Sequence, residues 1–235
     1  MKEESVSVKQ GKKALFYLIV QYQTDKIEAE RTIQMGNGNR GNIMIIKNGL
    51  VFTPEGKFEK KDLYVEGEYV AKETTDNKEV EAEGCYVIPG LVDIHFHGCV
   101  RHDMCDGTEE SIQALADYEA ANGVLAICPA TMTIPEEELF QAMKAAKEHK
   151  NGKGADLVGI NMEGPFINKE KKGAQKEEDI KLADIELFHK LQEAAGGLIK
   201  LVDLAPETEG AMDFIDQVKD EVHVSIAHTM ADYDT

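Results

Sequence analysis

The sequence predicts an α/β protein: a partial (β/α)8 TIM-type barrel, about five β–α units present, preceded by a small N-terminal β-domain. Three observations predict it. From Leu91 onward, short apolar runs alternate with amphipathic helical stretches, the pattern of parallel strands covered by crossover helices. Polar residues concentrate where those runs end, at His95 and His97, Thr131, Glu163, Glu207 and His228; in a barrel that is the face where functional groups gather. No glycine-rich phosphate loop follows the first strand, which counts against a doubly wound dinucleotide fold.

Residues 1–42 follow no sustained period and close on the Gly/Asn tract MGNGNRGN, a loop signature. They hold seven Lys+Arg against five Asp+Glu, whereas the whole chain carries a formal charge of −18. A junction near Asn42 is therefore expected, with residues 1–43 an extension without regular structure. Two origins stand open: a flexible native arm, or translated leader DNA ahead of a true start at Met44. The second arises because NRGNIM can be encoded with a purine-rich ribosome-binding sequence just upstream of an ATG. The apolar run Ala14–Val20 is too short to span a bilayer, and no small-x-small cleavage site follows it.

Residues 44–89 predict the small β-domain. Short strands are punctuated by NG, PEG and EG turns, with alternation in DLYVEGEYV, and Pro89-Gly90 ends the segment. Residues 90–235 predict the barrel units. LVDIHFHG is a strand, followed by a helix with Thr108 as N-cap and Asn122-Gly123 as its stop. VLAICPATM is a second strand. The next helix has Pro135 and three glutamates at its start and Lys and His in its last turn, as the helix dipole favours. DLVGINMEG is the third strand, followed by a charged insertion and a helix stopping at Gly196. LIKLVDLAPE, the helix GAMDFIDQVKDE and VHVSIAHT complete the series.

Composition narrows function. The acidic balance and the lack of clustered Lys and Arg argue against nucleic acid. Four cysteines without CxxC spacing predict reduced thiols in a cytoplasmic protein, and no membrane partner is expected.

Two imidazoles one residue apart, His95 and His97, project to the same side of an extended strand and can converge on one cation. HxH alone is also the polar end of an ordinary buried strand. Glu163 and His228 add weight: each ends a later apolar strand, and a buried carboxylate there is costly unless paired or metal-bound. Histidines with a carboxylate suit a hydrolytic divalent metal, Zn or Fe, with a coordination position left for water. The lysines of Asn168–Gln175 are either a solvated loop face or an attraction for an anionic substrate.

PGLVDIHFHG, NMEGPFIN followed by KKGAQ, LAPE and SIAHTMADY occur in an order and spacing that resembles the N-acetylglucosamine-6-phosphate deacetylases of the amidohydrolase superfamily, from about Met44 to the last residue. The EGPF and KKGA block is much more specific than HxH. The resemblance implies metal-dependent removal of the N-acetyl group from the sugar phosphate, releasing acetate and glucosamine 6-phosphate, by a cytoplasmic homodimer. It implies Glu163 and His228 as ligands of the main metal. His95 and His97 match the pair that holds a second ion in some members, so one or two ions are expected. Ala174 and Gln175 match a substrate-contacting pair, although several members have His where Gln175 stands. It implies further that the remaining metal histidine, the phosphate contacts and the catalytic aspartate come from later strands than the fifth, so the 235-residue chain alone is expected to be inactive. Another amidohydrolase, acting on a cyclic amide or nucleobase, and a degenerate product without catalysis are the competing readings.

Overall fold

The computed structural model describes residues 17–23, 26–32, 44–66, 69–74 and 78–235. The chain divides into two compact units, Met1–Gly90 and Leu91–Thr235.

The first unit is a seven-stranded sheet. Its strands are β1 (Tyr17–Gln23), β2 (Lys26–Thr32), β3 (Met44–Phe52), β4 (Phe58–Glu66), β5 (Tyr69–Ala71), β6 (Glu79–Glu81) and β7 (Cys85–Pro89). The order is β2-β1-β7-β3-β4-β5, with β6 also paired to β3. Its core is Ile46, Val51, Leu63, Val65, Ala82, Cys85 and Val87. On β4, buried Leu63 and Val65 alternate with half-buried Asp62 and Tyr64, the period-2 pattern of a strand with one wet face. The Pro54-Glu55-Gly56 turn is closed by Thr53 N–H donating to Lys57 O at 2.8 Å.

Two features differ from the sequence expectation. Residues 17–23 and 26–32, expected to lack regular structure, are strands: the aromatic and β-branched run from Tyr17 to Val20 pairs antiparallel with β7. The expected junction near Asn42 lies outside the described residues. Asn48-Gly49, expected as a turn between two strands, instead lies inside the nine-residue β3 as a bulge, where the register to β4 shifts. Asn48 adopts a left-handed φ of 62°, tolerated by its short polar side chain. Its N–H donates to Asp62 Oδ1 at 2.9 Å, so no partner is lost. Gly49 is required by crowding, since a Cβ there would meet Val87 Cγ2 at 2.6 Å.

The second unit is mixed α/β. Its parallel strands are β8 (Leu91–Asp93), β11 (Val124–Ile127), β12 (Asp156–Leu157), β13 (Ile160–Glu163), β14 (Ile199–Leu204) and β15 (His223–Ile226). β9 (Gly98–Cys99) and β10 (His102–Asp103) form a small hairpin in the loop after β8. Helices α1 (Glu109–Ala121), α2 (Glu136–Glu148), α3 (Ile185–Ala194) and α4 (Ala211–Val218) are the crossovers. β11 pairs with β8 and β12, and β14 with β13 and β15, all parallel. A parallel bridge from Ala130 to Asn161 continues the series between the two groups. Strand neighbours therefore follow chain order.

The helix signals act as expected. Thr108 Oγ1 accepts from Ser111 N–H, and α1 buries Ile112, Leu115, Ala116, Glu119 and Ala120, an i, i+3, i+4 stripe. Three glutamates occupy the first turn of α2, with Pro135 at its N-cap. Asp184, which the sequence reading did not single out, caps α3 by accepting from Glu186 and Leu187 N–H. His149, expected as a cation at the end of α2, is instead a buried C-cap, and desolvation pushes its pKa down, favouring the neutral ring. DLVGINMEG is two strands rather than one, with Val158-Gly159 between β12 and β13.

The core of this unit joins the strands to the helix faces and holds an aromatic cluster, in which Phe214 stands 5.2 Å from Phe166 and 5.6 Å from Phe188 between ring centroids. β8 and β15 each have a single neighbour among the described strands. Val92 on β8 and Ile226 on β15 are exposed. Among the described residues no helix is long and apolar enough to cross a membrane.

Candidate metal centre

β13 carries the sequence Ile-Asn-Met-Glu and is buried along its whole length. Glu163 ends it at 4% exposure, and the chain then turns through Gly164 at φ 72°. That turn excludes a side chain twice over: φ is left-handed, and a Cβ would collide with Thr133 Oγ1. Gly164→Ala is expected to lower the stability of the unit by about 2–5 kcal/mol, the sum of left-handed strain and overpacking, read as a drop in the denaturant midpoint.

Four side chains converge on the Glu163 carboxylate. Oε2 lies 3.1 Å from His95 Nε2 and 3.2 Å from His97 Nε2. Oε1 lies 2.7 Å from His228 Nε2 and 2.6 Å from Gln175 Nε2. His95, His97 and Glu163 offer one ligand atom each, all within 4.8 Å of one another. The two histidines lie beyond β8, which stops at Asp93, and not on a strand as expected. His95 N–H donates to Asp93 Oδ1 at 3.0 Å.

Hydrogen bonds fix how two of these groups point. Thr133 N–H donates to Gln175 Oε1 at 2.6 Å, so the amide must turn its Nε2 toward Glu163. His228 adopts φ 48°, and its Nδ1 is 2.8 Å from Lys171 O. A carbonyl only accepts, so Nδ1 carries the proton. In the neutral ring Nε2 then presents a lone pair to a carboxylate oxygen, two acceptors face to face, which is stable only with a proton or a cation between them. At 2.7 Å a proton on Nε2 satisfies the pair; three imidazoles and a carboxylate are also a donor set that suits a divalent metal, and the Nδ1–H to carbonyl contact is the outer-shell arrangement common to metal-bound histidines.

Electrostatics point the same way. Burial opposes ionisation of Glu163, but hydrogen bonds from His97 and His228, the His97 charge and the Gln175 amide hold its carboxyl down to about 2. The Glu163 hydrogen bond raises His97 in turn, against desolvation. An ionised carboxylate ringed by imidazoles is a site that welcomes positive charge.

The other expected residues fall as follows. Ala174 is exposed and Gln175 is buried at 3%. Lys169–Lys171 is a 3-10 turn capped by Asn168, and its last carbonyl is the one that orients His228. Glu207 does not face the histidines. It accepts from Asn168 Nδ2 at 2.8 Å, Thr229 Oγ1 at 2.5 Å and Met230 N at 2.6 Å, clamping the segment that follows His228. Thr131 is fully buried. Two buried polar residues beside the cluster, Asn161 and Asp203, escape the sequence reading; the signal was a polar residue inside an otherwise apolar strand.

No family model matches the chain. The N-acetylglucosamine-6-phosphate deacetylase of Bacillus subtilis (strain 168) is 35% identical over 195 residues, which cover 80% of this chain and 48% of that protein. The chain is related to the N-acetylglucosamine-6-phosphate deacetylases. An N-acetylgalactosamine-6-phosphate deacetylase of Escherichia coli O157:H7 is 28% identical over 191 residues, 80% of this chain and 51% of that protein. The crystal structure of the N-acetylglucosamine-6-phosphate deacetylase from Pasteurella multocida matches with a TM-score of 0.72 at 22% identity, covering 82% of this chain and 52% of that one. This likeness shows a shared fold over the matched half of that structure. The chain spans about half the length of the curated deacetylase relatives it matches.

Proposed function

We propose that Glu163, His228, His95 and His97 hold one or two divalent ions, Zn or Fe, and that the protein hydrolyses the N-acetyl group of N-acetylglucosamine 6-phosphate. The products are acetate and glucosamine 6-phosphate. The observation that carries this is the convergence of three imidazoles on one buried carboxylate, with the His228 proton already committed to Lys171 O. A cation bound there supplies Lewis-acid chemistry, making water a nucleophile near neutral pH and polarising an amide carbonyl.

The chain's own residues do the holding. Gln175 fixes the rotamer of Glu163, and the Lys171 carbonyl fixes the tautomer of His228. Ala174 and Gln175 contact the substrate in this reading, and Lys169 and Lys171, both exposed, draw its phosphate toward the same side. The parallel strands in chain order support a partial barrel over residues 90–235; residues 44–89 form a small β-domain whose sheet also takes in β1 and β2. The whole protein works as a cytoplasmic homodimer, without nucleic acid or membrane.

The test is acetate release by the complete gene product from N-acetylglucosamine 6-phosphate and from its galactosamine isomer. The expected outcome is turnover of the glucosamine substrate, lost on chelation and restored by Zn or Fe, with none from the 235-residue chain alone. Hydrolysis of cyclic imides with no acetate release would overturn the substrate class. Turnover by the short chain would overturn its inactivity.

A further inference from the structure

Asp203 lies on β14, in register with Glu163 on β13 and Ser225 on β15. Registered residues of a parallel sheet share a face, so its side chain enters the same layer as the metal-binding carboxylate. It is 2% exposed, and neither the chemistry above nor the helix packing uses it. Its Oδ2 lies 3.5 Å from His95 Nδ1, while His95 Nε2 lies 3.1 Å from Glu163 Oε2. One imidazole thus sits between two carboxylates, one at each ring nitrogen.

The third group at this corner is the Asn161 amide. Its Nδ2 is 3.3 Å from Ile94 O and 2.9 Å from His95 Nδ1, while its Oδ1 is buried without a partner. Two buried acceptors, Asn161 Oδ1 and Asp203 Oδ1, are left without a donor as long as His95 Nδ1 is bare. A proton on Nδ1 brings a donor to this corner. Nδ1–H then turns to the Asp203 carboxylate, and the Asn161 amide gives up its 2.9 Å approach to Nδ1 and keeps Ile94 O. That tautomer is also the one that frees the Nε2 lone pair for a cation.

We propose that Asp203 is a positioning residue for the metal centre: it accepts the Nδ1 proton of His95 and holds that imidazole with Nε2 toward the ion. The proposal rests on the metal-binding reading and deepens it. Asp203 acts through His95 and does not itself touch the metal.

The experiment is Zn2+ affinity, by competition with a chromophoric chelator, in the 235-residue chain and in Asp203→Asn, His95→Ala and the double variant. Loss of an outer-shell carboxylate is expected to weaken binding about 10–100-fold, and the same change in the His95→Ala background is expected to leave affinity unaltered. Nitrogen-15 imidazole spectra of the Zn-loaded unsubstituted chain are expected to show His95 protonated at Nδ1, a readout that stands even if Asp203→Asn folds poorly. Equal affinity of the unsubstituted chain and Asp203→Asn overturns the proposal. So does an equal loss in both backgrounds, the mark of a merely structural role, or a His95 proton on Nε2. A chain that binds no Zn2+ at all overturns the metal centre itself and this proposal with it. Binding that ignores Asp203 leaves the metal centre standing.

Discussion

Glu163→Gln is expected to abolish metal binding while leaving the fold in place. The substitution keeps the shape of the side chain and removes its charge, so the two effects separate. In the native protein all three histidines reach the site through this one carboxylate, two on Oε2 and one on Oε1. Without the charge, a cation must be held by neutral nitrogens alone, and the loss of affinity should exceed the 10–100-fold cost of losing an outer-shell partner. The fold is spared for a concrete reason. An amide at position 163 can accept from Gln175 Nε2 through its oxygen and donate to an imidazole lone pair through its nitrogen, so no buried polar group is stranded. Zn2+ titration and thermal unfolding on the same sample check both halves. Affinity within tenfold of the unsubstituted protein would remove Glu163 from the metal centre.

Much of this site is visible in the sequence because its residues break a pattern. A carboxylate ending Ile-Asn-Met and a histidine ending Ser-Ile-Ala are conspicuous after apolar runs, and those two do meet in space. Several helix boundaries were equally open to reading, since Thr108 and the three glutamates of α2 act through local chemistry. What stayed hidden depends on tertiary contacts. Asn48-Gly49 carries the strongest hairpin signal in the first unit, yet it is a bulge, because Asp62 on the next strand satisfies Asn48 N–H and Val87 leaves no room beside Gly49. Glu207 looks like a functional strand-end acid, but it is occupied by Asn168 and the Thr229–Met230 turn. Asp203 looks like an ordinary interruption of a strand until the sheet register sets it level with Glu163. No single segment contains the information that separates these last two.

The largest effect on stability is expected from Phe214→Ala, and it should reach the metal centre as well. Phe214 on α4 is 2% exposed, and its ring meets Phe166 and Phe188, both fully buried, edge to face. Truncating a buried Phe removes its transfer free energy and leaves a cavity, about 3–5 kcal/mol. A domain is stable by only about 5–15 kcal/mol, so this one change is expected to lower the melting temperature by about 6–20 °C at this size. Phe214→Leu, which keeps most of the volume, should cost less than half as much. Tyr118→Ala on the exposed side of α1 should cost under about 1 kcal/mol. The link to function runs through Phe166. It follows Glu163 by three residues across the Gly164-Pro165 turn, and its carbonyl accepts from Ala205 N–H at 3.0 Å, tying the end of β13 to the end of β14. When Phe214 is gone, Phe166 has a void to move into, and the turn that aims Glu163 loses its anchor. Zn2+ affinity measured well below the melting temperature should therefore fall in Phe214→Ala although no ligand has changed. An unfolding midpoint that drops while Zn2+ affinity stays the same would show that the turn holds Glu163 by its own hydrogen bonds, independently of the aromatic core.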